Sequence, residues 1–449
     1  MTAWFFQRLE QFGDADAIVF EGRTHSYRHL LGLTARWGEL LDAHGIRSGD
    51  VVALEGPSSV EACAGLLALI ARGAVAVPLA PLPAAKRTEF LDVAEVETVV
   101  TLGGSAAEHR VERTGRHAAH PLYGHLRAAA TPGLVLFSSG TTGRSKATVL
   151  DLAKMLGKYR EIRRAQRTLG FLSLDHIGGI NTLLHTLSQG GALVTIAART
   201  PATVCAAVAA HRIQVLPTTP TFLNMLLISG AYADHDLGSL RLITYGTEPM
   251  PLGVLRKLHE ALPDVRLKQT YGLSELGILA TKSRSDDSLW VKLGGAGFDY
   301  DIRDGILWIR SDIAMLGYLN APAPFDDQGY FNTQDAVEVD GDYVRILGRK
   351  SEIINVAGEK VYPGEVENVL LEMDIVADAT VSGRSSHITG QVVQAVVKLT
   401  RPADDPKAVA RQVRRHCAER LEAYKVPLLV EVSQDDHHSE RFKKIRAAV

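Results

Sequence analysis

LVLFSSGTTGRSKATVL, residues 134–150, decides how the rest of the chain is read. Four apolar residues, Leu134 to Phe137, run into a stretch that is nearly all Ser, Thr and Gly. A basic pair follows around Ser145, and an apolar run resumes at Ala147. A plain hairpin turn needs two to five residues and one or two glycines. This loop is longer, and both Gly140 and Gly143 adjoin hydroxylated residues. Backbone N–H groups of such a run can converge into an anion-binding nest, to which the hydroxyls add donors. Lys146 adds a point charge suited to phosphate oxygens. The pattern is not the Walker loop, because Arg144 follows Gly143. Taken alone, the stretch also fits a flexible surface loop.

Outward from this loop, short β-rich runs alternate with helical patterns. VVAL (51–54), VAV (75–77) and TVV (99–101) are separated by helix-like stretches. So are ALVTIA, IQVL, RLITY and VRLKQ, with helices expected after Pro201, from Thr219 and after Pro251. This alternation predicts an α/β fold with parallel sheets covered by helices on both faces. After about residue 290, GILWIR and YVRILG with Gly and Asp turns predict an antiparallel, barrel-like piece. From Lys350 a compact unit is expected: strand EIINV, a helix opened by Pro363, two strands, a helix near 406–423 and strand LLVEV.

At 449 residues the chain is too long for one core. A net charge of −2 gives no support for a nucleic-acid or membrane-surface partner. The arginine clusters, such as Arg411, Arg414 and Arg415, read as solvated helix faces before anion-receiving patches. Three scattered cysteines match no metal spacing and fit a reducing compartment. No signal peptide is evident at the N-terminus, and the longest apolar run, Ala62 to Ala71, is too short to span a bilayer. A cytoplasmic protein is expected.

Collinear segments carry a resemblance: SSGTTGRSK, DHIGG, YGTEPMP, TYGLSELG, YFNTQDAVEVDGD, GRKSEIINVAGEKVYPGEVE and a terminal KKIR. Over nearly its full length the chain resembles the AMP-forming, adenylate-forming enzymes. These include acyl- and aryl-CoA synthetases, adenylation domains of peptide synthetases and luciferases. The resemblance implies a large N-terminal AMP-binding domain, residues 1–349, of two doubly wound sheet lobes plus a distorted β-barrel. A small mobile α+β C-terminal domain, residues 350–449, would follow.

It also assigns roles. Ser138, Ser139, Gly140, Thr141, Thr142, Gly143 and Lys146 would cradle the β- and γ-phosphates of ATP. Gly246, Thr247 and Glu248 would pack against adenine, Tyr271 and Gly272 would adjoin it, and Ser274 would bond the α-phosphate. Glu275 offers a hard oxygen ligand for Mg²⁺. Asp335 would accept bonds from both ribose hydroxyls, since a carboxylate accepts two at once. Arg349 would touch ribose or phosphate. Lys444 would bridge the acid and the α-phosphate, and His176 would stand beside the acyl pocket. Simpler readings of each exist: a capping Ser–Glu pair at 274–275, a strand-to-helix turn at 246–248, a structural histidine at 176, a basic tail at 441–446.

Departures from the family pattern are Arg144-Ser145-Lys146-Ala147 without the usual Pro and Gly, Ser351 at the hinge, Asn355 in place of a lysine, and Lys443 before Lys444. The activity implied is adenylation of a small carboxylic acid, then thioester formation with CoA or the phosphopantetheine of an acyl carrier protein. Two alternatives stay open: delivery to an amine or activation of nitrite, and a non-catalytic nucleotide-binding homologue. The apolar mix of Phe171, Ile177, Phe222, Met225, Tyr245 and Leu279 favours an apolar or aromatic acid over an amino acid.

Overall fold

A computed structural model describes residues 2–104, 108–138 and 145–434. Two seven-stranded sheets dominate the first three hundred residues. One runs Arg266–Gln269, Leu242–Tyr245, Val215–Thr218, Arg167–Leu169, Ala192–Val194, Asp16–Phe20, Arg23–Ser26, parallel except for the final hairpin. The other runs Gly317–Tyr318, Lys146–Asp151, Gly133–Ser138, Val75–Leu79, Val51–Glu55, Thr98–Thr101, Arg110–Arg113, with four central parallel strands and antiparallel edges.

Local chemistry sets most helix starts. Thr200, Thr219 and Asp405 each cap a helix whose first residue is proline, at Pro201–His211, Pro220–Ser229 and Pro406–Ala418. The side-chain oxygen satisfies an orphan N–H, while proline gives up an N–H that would have no partner. Ser59 caps Val60–Arg72, and Gly73 ends it at φ +75°. From Val60 to Ile70 that helix is buried on every side, as its apolar pattern requires. Its one charged residue before Arg72, Glu61, is buried but accepts from Trp37 Nε1 at 2.8 Å.

The barrel-like piece is a six-stranded antiparallel sheet ordered Ala280–Ser283, Val291–Gly294, Tyr343–Arg349, Phe331–Asp340, Ile306–Ser311, Phe298–Arg303. After Arg349 comes a 3₁₀ turn, Lys350–Glu352, then a smaller sheet against the helices Pro363–Leu370 and Pro406–Ala418. Its strands Val376–Ser386 and Gly390–Leu399 form a long hairpin, and Leu429–Val432 pairs parallel to the second. This smaller unit touches the first sheet's layer where Asn224 Nδ2 donates to the Ala377 carbonyl at 3.0 Å. All three cysteines are buried and free. Among the described residues, no helix is long and apolar enough to cross a membrane.

Candidate active site

Four parallel strands of the first sheet deliver their carboxyl-terminal turns to one region: 170–176, 219–221, 246–248 and 270–275. This is where open α/β sheets bind ligands. The antiparallel sheet and the edge of the second sheet close on the same region, through Asp335 with Arg349 and through Lys146 with Tyr318.

The opening stretch forms an antiparallel hairpin in which Ser138 stands opposite Lys146. Ser139, Gly140, Thr141, Thr142 and Gly143 lie outside the described residues, as does Lys444. The loop's base is held from far along the chain. Asn320 Oδ1 accepts from the Ala147 N–H at 3.0 Å, and its Nδ2 donates to the Ser145 carbonyl at 2.8 Å. Lys146 Nζ sits 5.1 Å from the centroid of the Tyr318 ring, a cation–π arrangement.

The Tyr318 hydroxyl donates to Glu275 Oε1 at 2.5 Å. Burial, then the Glu275 charge, pushes this phenol far above its ordinary pKa, so it stays a donor. Glu275 retains its second oxygen and further lone pairs, as a hard-cation ligand requires. Among the described residues no group of three or more His, Cys, Asp or Glu converges to hold a metal. The donor set therefore fits Mg²⁺ held by one carboxylate together with phosphates and water, and not an all-protein metal cage.

Tyr271 is buried, and its hydroxyl donates to Asp335 Oδ2 at 2.5 Å. Asp335 pairs across the sheet with Arg349, whose Nε lies 3.3 Å from Oδ1. Burial raises the Asp335 pKa, while Arg349 and the Tyr271 hydrogen bond pull it back. Its backbone N–H donates to Thr333 Oγ1 at 3.0 Å, and Gln334 before it adopts φ +62°. A left-handed non-glycine residue beside a buried carboxylate marks a position whose geometry the surroundings impose.

Gly246 leaves no room for a side chain: a Cβ would lie 2.7 Å from the Thr270 carbonyl oxygen. Thr247 has φ +75°, again strained. Glu248 Oε1 accepts from the Thr221 N–H at 2.7 Å and from its hydroxyl at 2.5 Å, so this carboxylate braces the start of helix Pro220–Ser229. Gly272 pairs with Ile278 in a short hairpin that carries Ser274 and Glu275 in its turn. Ser274 is half-buried there.

His176 caps helix Ile177–Ser188, its Nδ1 accepting from the Gly178 N–H at 3.0 Å. In the neutral ring that bond places the proton on Nε2. Gly179 permits the tight approach, since a Cβ would come within 2.0 Å of the Ser173 carbonyl. The residues read from the sequence as an apolar wall fall in two clusters, with Met225 half-buried. Phe171, Phe222 and Tyr245 are buried together in one core, and Ile177 and Leu279 in another. The Phe171 and Phe222 rings pack 4.6 Å apart.

Sequence reasoning missed Tyr318 and Asn320. Their only signal was an aromatic and an amide at i, i+2 spacing, which places both on one face of an extended segment.

The family model described as "AMP-binding enzyme" matches residues 5–319, and "AMP-binding enzyme C-terminal domain" matches 365–443. An indoleacetate–CoA ligase of Aromatoleum aromaticum is 29% identical, over 92% of this chain and 90% of the relative. The long-chain-fatty-acid–CoA ligase FadD13 of Mycobacterium tuberculosis is 28% identical, over 90% and 88%. Among solved structures, the anthranilate CoA ligase AuaEII in complex with anthranoyl-AMP superposes with a TM-score of 0.82 at 20% identity, covering 98% of this chain and 95% of that one. ATP-bound MatB from Rhodopseudomonas palustris gives 0.80 at 25% identity, with 98% and 97% covered.

Proposed function

Because the chain belongs to the AMP-binding enzyme family, we propose that it is an AMP-forming acid–thiol ligase. It activates a small carboxylic acid with ATP and passes the acyl group to the thiol of CoA. One observation carries the reading. Asp335, read as the ribose carboxylate, accepts from the Tyr271 hydroxyl, while Tyr318, whose ring lies against Lys146, donates its hydroxyl to Glu275 in the turn of the same hairpin. Residues read as nucleoside-binding and phosphate-binding thus converge on one short element.

In the first step a carboxylate oxygen attacks the α-phosphorus of ATP, and the bond to pyrophosphate breaks. The chain contributes position and charge. Lys146 and the loop hydroxyls receive the β- and γ-phosphates, Ser274 the α-phosphate, and Asp335 with Arg349 the ribose. Tyr271 lines the adenine side, and Gly246 lets the base lie against backbone. Glu275 would hold Mg²⁺, which when bound neutralises phosphate charge. Lys444 supplies positive charge where the acid and α-phosphate meet, stabilising the transition state more than the ground state. In the second step a thiolate attacks the acyl carbon, AMP leaves, and the thiol proton is lost to solvent or a nearby base. The 350–449 unit turns about the Arg349–Ser351 junction between the steps, a motion that a few terminal residues can absorb. His176 borders the acyl group in both.

The test is acid-dependent exchange of labelled pyrophosphate into ATP, followed by an acceptor screen with CoA, hydroxylamine and amines. Lys444→Ala should abolish exchange while ATP still binds. Release of ADP in place of AMP overturns the reading. Product with an amine but none with CoA moves the chain to amide-forming chemistry.

A further inference from the structure

Beyond His176 the helix Ile177–Ser188 is buried on every side except at Asn181 and His185, which lie one turn apart on one stripe. Lys158 meets that stripe. Its Nζ donates to Asn181 Oδ1 at 3.2 Å and to the Ile278 carbonyl at 2.5 Å. Ile278 is the hairpin partner of Gly272, so this ammonium touches the element that carries Ser274 and Glu275. Tyr159 also donates to Asn181 Oδ1, at 2.9 Å. With two donors on its oxygen, the Asn181 amide presents its NH₂ as a donor.

The charged groups that most affect Lys158 have its own sign. Burial, with Arg163 and Lys268 nearby, lowers its pKa to about 8. Burial also lowers that of Lys268, helped by Arg266 and Arg163. Glu161 is the acid nearest in sequence, and it pairs with Arg163 at 3.2 Å where both side chains are largely exposed. Among the described residues neither Lys158 nor Lys268 forms an ion pair. Yet Lys158 keeps an exposed surface, and two acceptors use only two of its three N–H groups. Like charges gathered without a counter-charge repel one another unless a ligand supplies one.

We propose that the acid adenylated here is a dicarboxylate, whose second carboxylate is received by Lys158 with the Asn181 amide beside it. This rests on the adenylation reading above and names its substrate class. From the His176 cap to Asn181 the helix rises about 7.5 Å. Five residues also turn about 140° around the axis, so the rise gives only the order of the separation between the two carboxyl groups, which favours heptanedioate-length or para-carboxyaryl acids over simple aryl or fatty ones. This class departs from the apolar or aromatic acid expected from the sequence.

Pyrophosphate exchange over matched pairs tests it: heptanoate against heptanedioate, and 3-phenylpropanoate against 3-(4-carboxyphenyl)propanoate. The wild-type enzyme should favour the diacid at least tenfold in kcat/KM. Lys158→Met should collapse that ratio towards one, and Lys158→Arg should keep most of it. A purely structural clasp on Ile278 would lower both members of a pair equally and leave the ratio intact, which overturns the proposal. So does a wild-type preference for the monoacids, a result that needs no variant. In either case exchange itself survives, and the adenylation reading stands. Exchange with no acid at all sinks both.

Discussion

The Tyr318 hydroxyl donates to Glu275 while its ring lies beneath Lys146, so one side chain steadies two charges of opposite sign. Tyr318→Phe keeps the ring and removes the donor. Exchange should fall about tenfold and need more Mg²⁺ for half-maximal rate, in line with the loss of one charge-assisted hydrogen bond. An unchanged Mg²⁺ titration would show that the hydroxyl does not orient Glu275. Asp335→Asn conserves volume but halves the acceptor capacity that a ribose diol requires. The expected signature is an ATP KM raised about tenfold or more with kcat less affected, as lost uniform binding predicts. Asp335 and Gly246 were legible through the resemblance of the segments that hold them, not through the residues alone, since burial is a tertiary property. Tyr318 was not, since nothing in its neighbourhood records that residue 275 stands above it.

At the scale of elements, the Thr–Pro and Asp–Pro helix starts and the strand–helix alternation were legible because caps and periodicity act within a few residues. Pairing between distant strands is another matter. Gly317–Tyr318 adds to Lys146–Asp151 across more than 160 residues, a choice made by edge hydrogen bonding and not by local pattern. The turn after Leu242–Tyr245 illustrates what such packing demands. A methyl at Gly246 would lie against the Thr270 carbonyl and the Thr270 hydroxyl, each at 2.7 Å. Gly246→Ala should push apart the ends of two adjacent strands. We expect loss of exchange by two orders of magnitude or more, with a drop in stability of about 1–3 kcal/mol by denaturant titration. Activity near wild type would mean that the turn yields more easily than its contacts indicate.

For the molecule as a whole, two measurements bear on its poise. His185 is held near pKa 4 by burial, reinforced by Lys158, Arg163 and Lys268. Its ordinary value is 6.5, so below that the unfolded chain binds the proton first. Unfolding free energy should therefore hold above pH 6.5 and decline as pH falls towards 4. His185→Gln should flatten that decline by up to one proton, read from urea midpoints across the range. The second concerns movement. Asn224 and Ala377 join the large part of the chain to the small one. Asn224→Cys with Ala377→Cys, bridged by a short reagent, should leave only one of the two half-reactions working until the bridge is cut. Both reactions persisting in the bridged protein would argue against any rotation between them.

The clamp by Asn320 bears on how the protein is made. A ribosome that has released the first 151 residues has already produced both strands of the hairpin. The residue that pins that hairpin's foot is still well over a hundred codons away. Nascent chains halted before that codon should grip nucleotide poorly, and those halted beyond Tyr343–Arg349 should grip it well. On that outcome, competence for ATP is scheduled late in synthesis, by an amide whose partners are the backbone groups of Ser145 and Ala147.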